Sequence, residues 1–290
     1  MGEPTSSAHD VPRLLRELGL RPRKELGQHF LTDQRALARI VAAAELTDKD
    51  VVIEVGAGLG ALTHLLAQTA ERVIAVEVDR DLAVALSRLL AHEPQVTVVQ
   101  GDILQFSPAD LLARSGLAPH TPYLVVGNLP YAITSAILRH FLEAEPRPQR
   151  LVGTVQREVA ERVTARPGEM SLLSVSVQFY GRPQIVLRLK PGAFYPPPEV
   201  SSAVIRIDCY ADLPLSVEDS GRFFRIVRAG FAQRRKQLHN SLAAGLALPD
   251  DRVRAALQGI GIDPRRRAQT LSLEEWAALY CALSPHLPMP

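Results

Sequence analysis

Short apolar runs followed by longer stretches of helical periodicity recur through the first two thirds of the chain. Val51-Val52-Ile53-Glu54-Val55 reads as a buried strand, and after Gly56-Ala57-Gly58-Leu59-Gly60 a helix is predicted from about Ala61 to Thr69. Arg72 to Val76 reads as a second strand ending in Glu77, and Gln95 to Val99 as a third, followed by Gln100-Gly101-Asp102-Ile103. Tyr123 to Val126 forms a fourth, running into Gly127-Asn128-Leu129-Pro130-Tyr131. A helix is predicted over about Thr134 to Glu143 and another through Glu158 and Arg162. Further strands are predicted at about Arg150 to Val155, Ile185 to Leu189 and Ser202 to Ile207. Strands alternating with helices predict an α/β chain with a parallel sheet. Met170 to Tyr180 fits both periods: Ser-Val-Ser-Val-Gln-Phe alternates as a strand does, whereas Leu172, Leu173, Val177 and Tyr180 suit a helix.

The two ends of the chain differ from this pattern. Residues 1–22 are polar and contain Pro, with a short amphipathic piece at Val11 to Leu18, and are expected to form a flexible tail with a helical turn or two. Next comes Arg23-Lys24-Glu25-Leu26-Gly27-Gln28-His29-Phe30-Leu31, after which Thr32 or Asp33 caps a helix to about Leu46. From about Asp212 the pattern is helical only, with turns at Leu248-Pro249-Asp250 and Gly261-Ile262-Asp263-Pro264. The expected organisation is a tail over 1–22, an α/β domain over 23–210 and a smaller all-helical domain over 211–290.

Composition narrows the partners. The 290 residues are 47% hydrophobic and 22% charged, as in ordinary globular proteins, and the net charge of +2 confines any nucleic-acid surface to a local patch. The cations are almost all Arg, with Lys only at 24, 49, 190 and 236. The densest basic stretch contains Arg234, Arg235 and Lys236, and Arg265-Arg266-Arg267 is a second. Such a stretch on a helix either attracts RNA phosphate or is a solvated face. Cys209 and Cys281 have no metal-ligand spacing, so no metal is expected, and a reducing cytoplasm suits them. No signal segment and no apolar run long enough to span a bilayer is present, so no membrane partner is expected.

The strand ends carry the candidate chemistry. Gly56 and Gly58 let backbone approach a ligand at a helix start, and Glu77, 21 residues after Gly56, suits the two hydroxyls of a ribose. A dinucleotide fingerprint needs its third Gly at position 61, which is Ala here, so NAD and FAD are disfavoured. Asp102 either accepts from an adenine amine, with Ile103 packing on the ring, or caps a turn. Glu54 lies inside a buried strand and needs a partner, either a ligand ammonium or a cluster of backbone N–H groups. Together these acids and the glycine loop favour S-adenosylmethionine. At the fourth strand end the Asn128 oxygen and the Leu129 carbonyl can both accept from one exocyclic amine, Pro130 stiffens the loop and Tyr131 can stack on a base. Gln28, His29 and Leu31 either fold over the ligand or form a strap on the core. Phe194, in the stiff loop Pro191 to Pro198, either forms the second face of a base sandwich or anchors that loop.

Taken in order, these segments resemble the ribosomal RNA adenine dimethyltransferase family, most closely its small-subunit branch, from about Lys24 to Leu283. The resemblance lies in Gly-Gln-His-Phe-Leu at 27–31, the loop Gly56 to Gly60, Glu77, Asp102, Asn128-Leu129-Pro130-Tyr131, Phe194-Tyr195-Pro196-Pro197-Pro198, and the stretch from Phe231 to Leu242. The resemblance implies a Rossmann-like sheet with S-adenosylmethionine held by Gln28, His29, Leu31, Glu54, Gly56, Gly58, Glu77, Asp102, Ile103 and Asn128. It implies catalysis by Asn128, Leu129, Pro130 and Tyr131, and RNA contacts at Tyr131, Phe194, Arg234, Arg235 and Lys236. The implied target is two adjacent adenines in a hairpin loop near the 3′ end of small-subunit rRNA, reached by a monomer on an assembling subunit. Two positions depart from the family pattern: His29 stands where Asn is usual, and Ala132 where Asn is common. A large-subunit resistance methylase and a non-catalytic RNA-binding factor are the competing readings.

Overall fold

The computed structural model describes residues 10–213, 215–233 and 235–287. They fall into two compact units, Met1–Ala160 with Arg182–Cys209, and Glu161–Gly181 with Tyr210–Pro290.

The first unit is built on nine strands: β1 (Phe30–Leu31), β2 (Val51–Val55), β3 (Arg72–Glu77), β4 (Val96–Gln100), β5 (Tyr123–Asn128), β6 (Arg150–Gln156), β7 (Gly181–Leu189), β8 (Phe194–Tyr195) and β9 (Ser202–Cys209). Seven form one sheet in the order β4-β3-β2-β5-β6-β9-β7, parallel from β4 through β6, with β9 antiparallel to β6. Burial accounts for this arrangement: all five residues of β2 are buried, and a strand covered on both faces reads as a continuous apolar run. The chain leaves β2 toward β3 and β4, then returns to the other side of β2 as β5. The crevice at the carboxyl ends of β2 and β5 is therefore a topological switch point, where open α/β sheets bind ligands.

Helices α1 (Val11–Glu17), α2 (Gln34–Ala44), α3 (Ala61–Ala67), α4 (Arg80–Leu89), α5 (Pro108–Arg114) and α6 (Thr134–Leu142) belong to this unit, and α7 (Arg157–Val163) runs from it into the second. Asp33 caps α2 through a bond from Ala36 N, and the helix turns Ala36, Leu37, Ile40 and Ala44 into the core. In the segment expected as a tail, the short amphipathic piece is a two-turn helix, and it is packed rather than loose within the described residues. α1 is capped by Asp10 and buries Val11 and Leu15 against Phe30, Leu59 and Leu82; residues 1–9 lie outside the described residues. The short antiparallel pair of β1 and β8, with Phe30 opposite Tyr195 and Leu31 opposite Phe194, joins the N-terminal strap to the proline loop.

The second unit contains α8 (Leu172–Tyr180), α9 (Ser220–Phe231), α10 (Leu238–Leu246), α11 (Asp250–Gly259) and α12 (Leu273–Leu283). It takes in 161–181 as well as the helical tail, so the boundary differs from the single cut expected at 210. The ambiguous segment is a helix, started by a reciprocal capping box between Ser171 and Ser174. Its rings explain the assignment: Phe179 stacks on Phe223 at 4.7 Å and meets Phe224 edge-on at 5.2 Å. Gly168 N and Met170 N both donate to the Gln269 carbonyl, stitching the early segment to the tail.

Candidate active site

Four neighbouring strands end side by side, and each delivers a polar group at its carboxyl end. β2 runs through Glu54 into Gly56, β3 ends in Glu77, β4 leads to Asp102 and β5 ends in Asn128. Gly56 takes φ of +73°, and a Cβ there would sit 3.2 Å from the Asn128 carbonyl oxygen, so the glycine loop and the end of β5 touch through backbone. Gly127 is tighter still, since a Cβ would stand 2.4 Å from the Val55 carbonyl oxygen. Any larger residue would separate the two strand ends.

One pocket is lined by the strap, the glycine loop and the ends of β2, β3 and β5. Among the described residues that line it are two carboxylic acids, Glu54 and Glu77, and neither Lys nor Arg. Glu77 is 5% exposed; its Oε2 accepts from Gly58 N at 2.8 Å and its Oε1 from Asp79 N at 3.0 Å. Burial raises this carboxyl above its ordinary range, and those backbone donors oppose the shift. Glu54 is 1% exposed, with Oε2 buried and without a hydrogen-bond partner, and burial pushes its carboxyl up to about 8. Two buried acids in a lining that holds no Lys or Arg among the described residues form a site suited to a ligand that brings its own positive charge. The sulfonium and ammonium of S-adenosylmethionine fit these groups, and Glu54, Gly56, Gly58 and Glu77 are the lining residues that would hold it.

Asn128 stands across the crevice. Its Nδ2 donates to the His29 carbonyl at 2.6 Å, while its Oδ1 is buried without a partner. A buried amide oxygen left unpaired costs on the order of 1–3 kcal/mol, which makes it a ready acceptor for an incoming N–H. Leu129 N donates to the Thr154 carbonyl, and the Pro130 carbonyl accepts from Ile133 N and Thr134 Oγ1, so the turn is fixed on both sides. The Tyr131 hydroxyl lies 2.6 Å from Ser202 Oγ, and its ring is stacked along His29 at 5.9 Å and 21°. Burial raises the Tyr131 phenol, which stays protonated at neutral pH.

The remaining sequence candidates are distributed unevenly. Gln28 and Leu31 line the same pocket, Gln28 tied by its side chain to Asp79. Asp102 lies at the end of β4, where its Oδ1 accepts from Leu104 N and caps a single 3-10 turn containing the buried Ile103; neither lines the pocket. Phe194 requires a correction. It is 3% exposed and packs among Leu31, Leu37 and Val204, so the ring anchors the proline loop in the core and offers no face to a base. Its pairing with Leu31 turns Phe194 inward, and the neighbouring Tyr195 is the exposed ring. Arg235 and Lys236 are exposed in the second unit, and Arg234 lies outside the described residues. In the second basic run, Arg266 is bound by Glu275 and Thr270. Sequence reading missed Val78 and Asp79, which border the pocket or brace its strap, because nothing in their spacing marks them. Among the described residues no group of three or more His, Cys, Asp and Glu is placed to hold a metal, and no helix is long and apolar enough to cross a membrane.

A glycine loop after the central strand, acids at successive strand ends and a switch-point crevice define the Rossmann-like methyltransferase class. Solved structures agree: the 23S rRNA methyltransferase ErmE superposes with a TM-score of 0.70 at 32% identity, covering 88% of this chain and 99% of its own. A dimethyladenosine transferase from Plasmodium falciparum, 21% identical, shares the fold at a TM-score of 0.76, over 89% of this chain and 98% of its own. The family model described as ribosomal RNA adenine dimethylase matches residues 19–284, and the chain belongs to that family. Proteins named ribosomal RNA small subunit methyltransferase A are 48% identical in Dehalococcoides mccartyi, over 90% of this chain and 88% of theirs, and 46% identical in Moorella thermoacetica, over 92% and 94%.

Proposed function

We propose that the chain transfers methyl groups from S-adenosylmethionine to adenine amines of small-subunit rRNA, dimethylating two adjacent adenosines in a hairpin loop near the 3′ end. The observation that carries this reading is the unpartnered Asn128 oxygen, held at the edge of a pocket that has two buried acids and, among the described residues, no Lys or Arg. Identity supports the small-subunit branch, at 48% and 46% against 32% for ErmE.

The cofactor, when bound, supplies a methyl group already activated by its sulfonium. The residues then have to align reactants rather than move protons. Asn128 Oδ1 and the Leu129 carbonyl accept the two hydrogens of the adenine amine, which turns its lone pair toward the methyl group. Pro130 keeps that turn rigid, and Tyr131, braced by Ser202, stacks the base drawn out of the RNA. Tyr131 serves as a surface and not as a base, since its phenol holds its proton. The excess proton of the methylated amine passes to water. Gln28 and Leu31 close the strap side of the pocket, His29 reaches it through its backbone, and Asp102 with Ile103 extends the site toward the cofactor adenine. Arg235 and Lys236, together with Arg234, contact RNA phosphate without reading sequence. We read the enzyme as a cytoplasmic monomer that acts on assembling small subunits.

The test uses purified protein, labelled S-adenosylmethionine, and undermethylated small and large subunits in parallel, with modified adenines mapped by reverse-transcription stops. Stops at two adjacent adenines near the small-subunit 3′ end are expected. Label confined to the large subunit would establish the resistance-methylase reading instead. Bound cofactor with no transfer to either subunit would establish the binding-factor reading.

A further inference from the structure

Gln28 and His29 are consecutive, yet their side chains serve opposite walls of the pocket. Gln28 Oε1 accepts from Arg23 N at 2.8 Å and its Nε2 donates to Asp79 Oδ2 at 3.0 Å, which ties the strap to the loop beyond Glu77. The His29 side chain turns the other way. Its Nδ1 lies 2.7 Å from the Pro196 carbonyl oxygen, and its ring runs along Tyr131. A carbonyl oxygen only accepts, so Nδ1 carries the hydrogen of this bond. The His29 carbonyl is also the acceptor for Asn128 Nδ2. The strap, the end of β5 and the proline loop therefore meet at one residue.

The bond to Asn128 decides which end of its carboxamide faces the crevice. A carboxamide turned by half a circle exchanges its oxygen for its NH2, and such a rotation is soft for an Asn side chain. In that orientation NH2 would face the NH2 of the adenine and neither could accept. The His29 carbonyl accepts only, so it selects the orientation that leaves Oδ1 free. The imidazole bond to Pro196 adds a hold on residue 29 beside the backbone pairing of Phe30, and so helps fix where that carbonyl sits.

We propose that His29 is a positioning residue for the target adenine: through its anchor on the Pro196 carbonyl it holds the Asn128 oxygen toward the amine and backs the Tyr131 ring. This assignment rests on the adenine-transfer reading above and moves the His29 side chain from the cofactor wall to the base wall. It also gives the departure at position 29 a physical content. An Asn there has an NH2 that can donate to the same carbonyl, and the imidazole adds an aromatic face beside Tyr131.

The experiment compares wild type, His29→Ala and His29→Asn, with calorimetric binding of S-adenosylmethionine, steady-state transfer to undermethylated small subunits, and thermal melting. The backbone pairing of Phe30 with Tyr195 and of Leu31 with Phe194 does not depend on the imidazole, so both variants are expected to fold. For His29→Ala, kcat/KM for RNA should fall about tenfold while the cofactor Kd moves less than about twofold. His29→Asn should recover most of that loss through its donor. A weakened cofactor Kd in His29→Ala with unchanged kcat/KM for RNA would overturn the assignment and return His29 to the cofactor wall. Equal losses in both variants, accompanied by a matching fall in melting temperature, would overturn it in favour of a packing role. Wild type that binds cofactor and transfers no methyl to either subunit would remove the adenine-transfer reading, and this inference with it.

Discussion

The two ends of the main sheet treat charge in opposite ways. At the amino end of the parallel strands, Arg150 meets Asp208 Oδ1 at 2.7 Å and Glu45 Oε2 at 3.0 Å, while Arg206 engages the same two acids. The helix end is bound there as well: Arg150 donates to the Ala44 carbonyl and Arg206 to the Ala43 carbonyl. At the carboxyl end, Glu54 and Glu77 are buried in a pocket lined by no Lys or Arg among the described residues, and Asn128 Oδ1 has no partner. A chain selected for stability alone would pair these groups or replace them with apolar ones. The first end is finished as a structure, whereas the second leaves buried polar atoms open to an incoming partner. Local violations of good pairing thus mark the working end of the sheet.

The largest effect on this contrast is expected from Asn128→Ala. Removing one of the two acceptors proposed for the amine should lower transfer by ~10²–10³-fold, the scale for loss of one preorganised polar contact in a transition state, with cofactor binding retained. Labelled transfer beside calorimetry checks both halves, and near-normal turnover would remove the catalytic assignment. Next comes Glu77→Ala, which should raise the cofactor Kd by ~10–100-fold, the scale of one or two hydrogen bonds to a charged group. Unchanged affinity by calorimetry would contradict its role.

The pH dependence of Glu54 sharpens the comparison further. Its carboxyl sits at about 8 in the folded chain against an ordinary 4.5, so the folded, unliganded state keeps a proton that the unfolded chain gives up. That contribution to stability is complete below about 4.5 and is lost as pH rises to about 8. Thermal melts without ligand should decline over this window more steeply in wild type than in Glu54→Gln. A cationic ligand favours the carboxylate instead, so binding should release a proton below about pH 8 and tighten by up to about tenfold per unit rise. Calorimetry in buffers of different ionisation enthalpy counts that proton, and Glu54→Gln should release none. The smallest effect belongs to the paired end. Glu45 is more than half exposed, so Glu45→Ala should leave transfer at the wild-type rate and lower the melting temperature only slightly.

What could be read from the sequence divides along local and distant interactions. The strand, glycine loop and helix units are patterns of adjacent residues, and β2, β3 and β5 lie where their apolar runs predict. The Asp33 cap and the acids at the strand ends are legible for the same reason. Spacing left Phe194 open between a base face and a loop anchor, because its inward turn depends on pairing with Leu31, far earlier in the chain. α1 was read as part of a loose tail because Val11 and Leu15 acquire their value only against Phe30, Leu59 and Leu82. The Ser171 and Ser174 capping box was a signal in plain view, but the alternation that follows it reads equally as a strand. At the site, the presence of Asn128 could be read, but its orientation could not. The carbonyl that sets it lies 99 residues away.

The cation-free lining of the pocket also bears on turnover. When a methyl group departs, the sulfur that carried it changes from a sulfonium to a neutral thioether, while Glu54 and Glu77 stay in place. The spent thioether should therefore be held less firmly by this lining than the sulfonium, and the difference should grow above about pH 8, where Glu54 is already ionised before a ligand arrives.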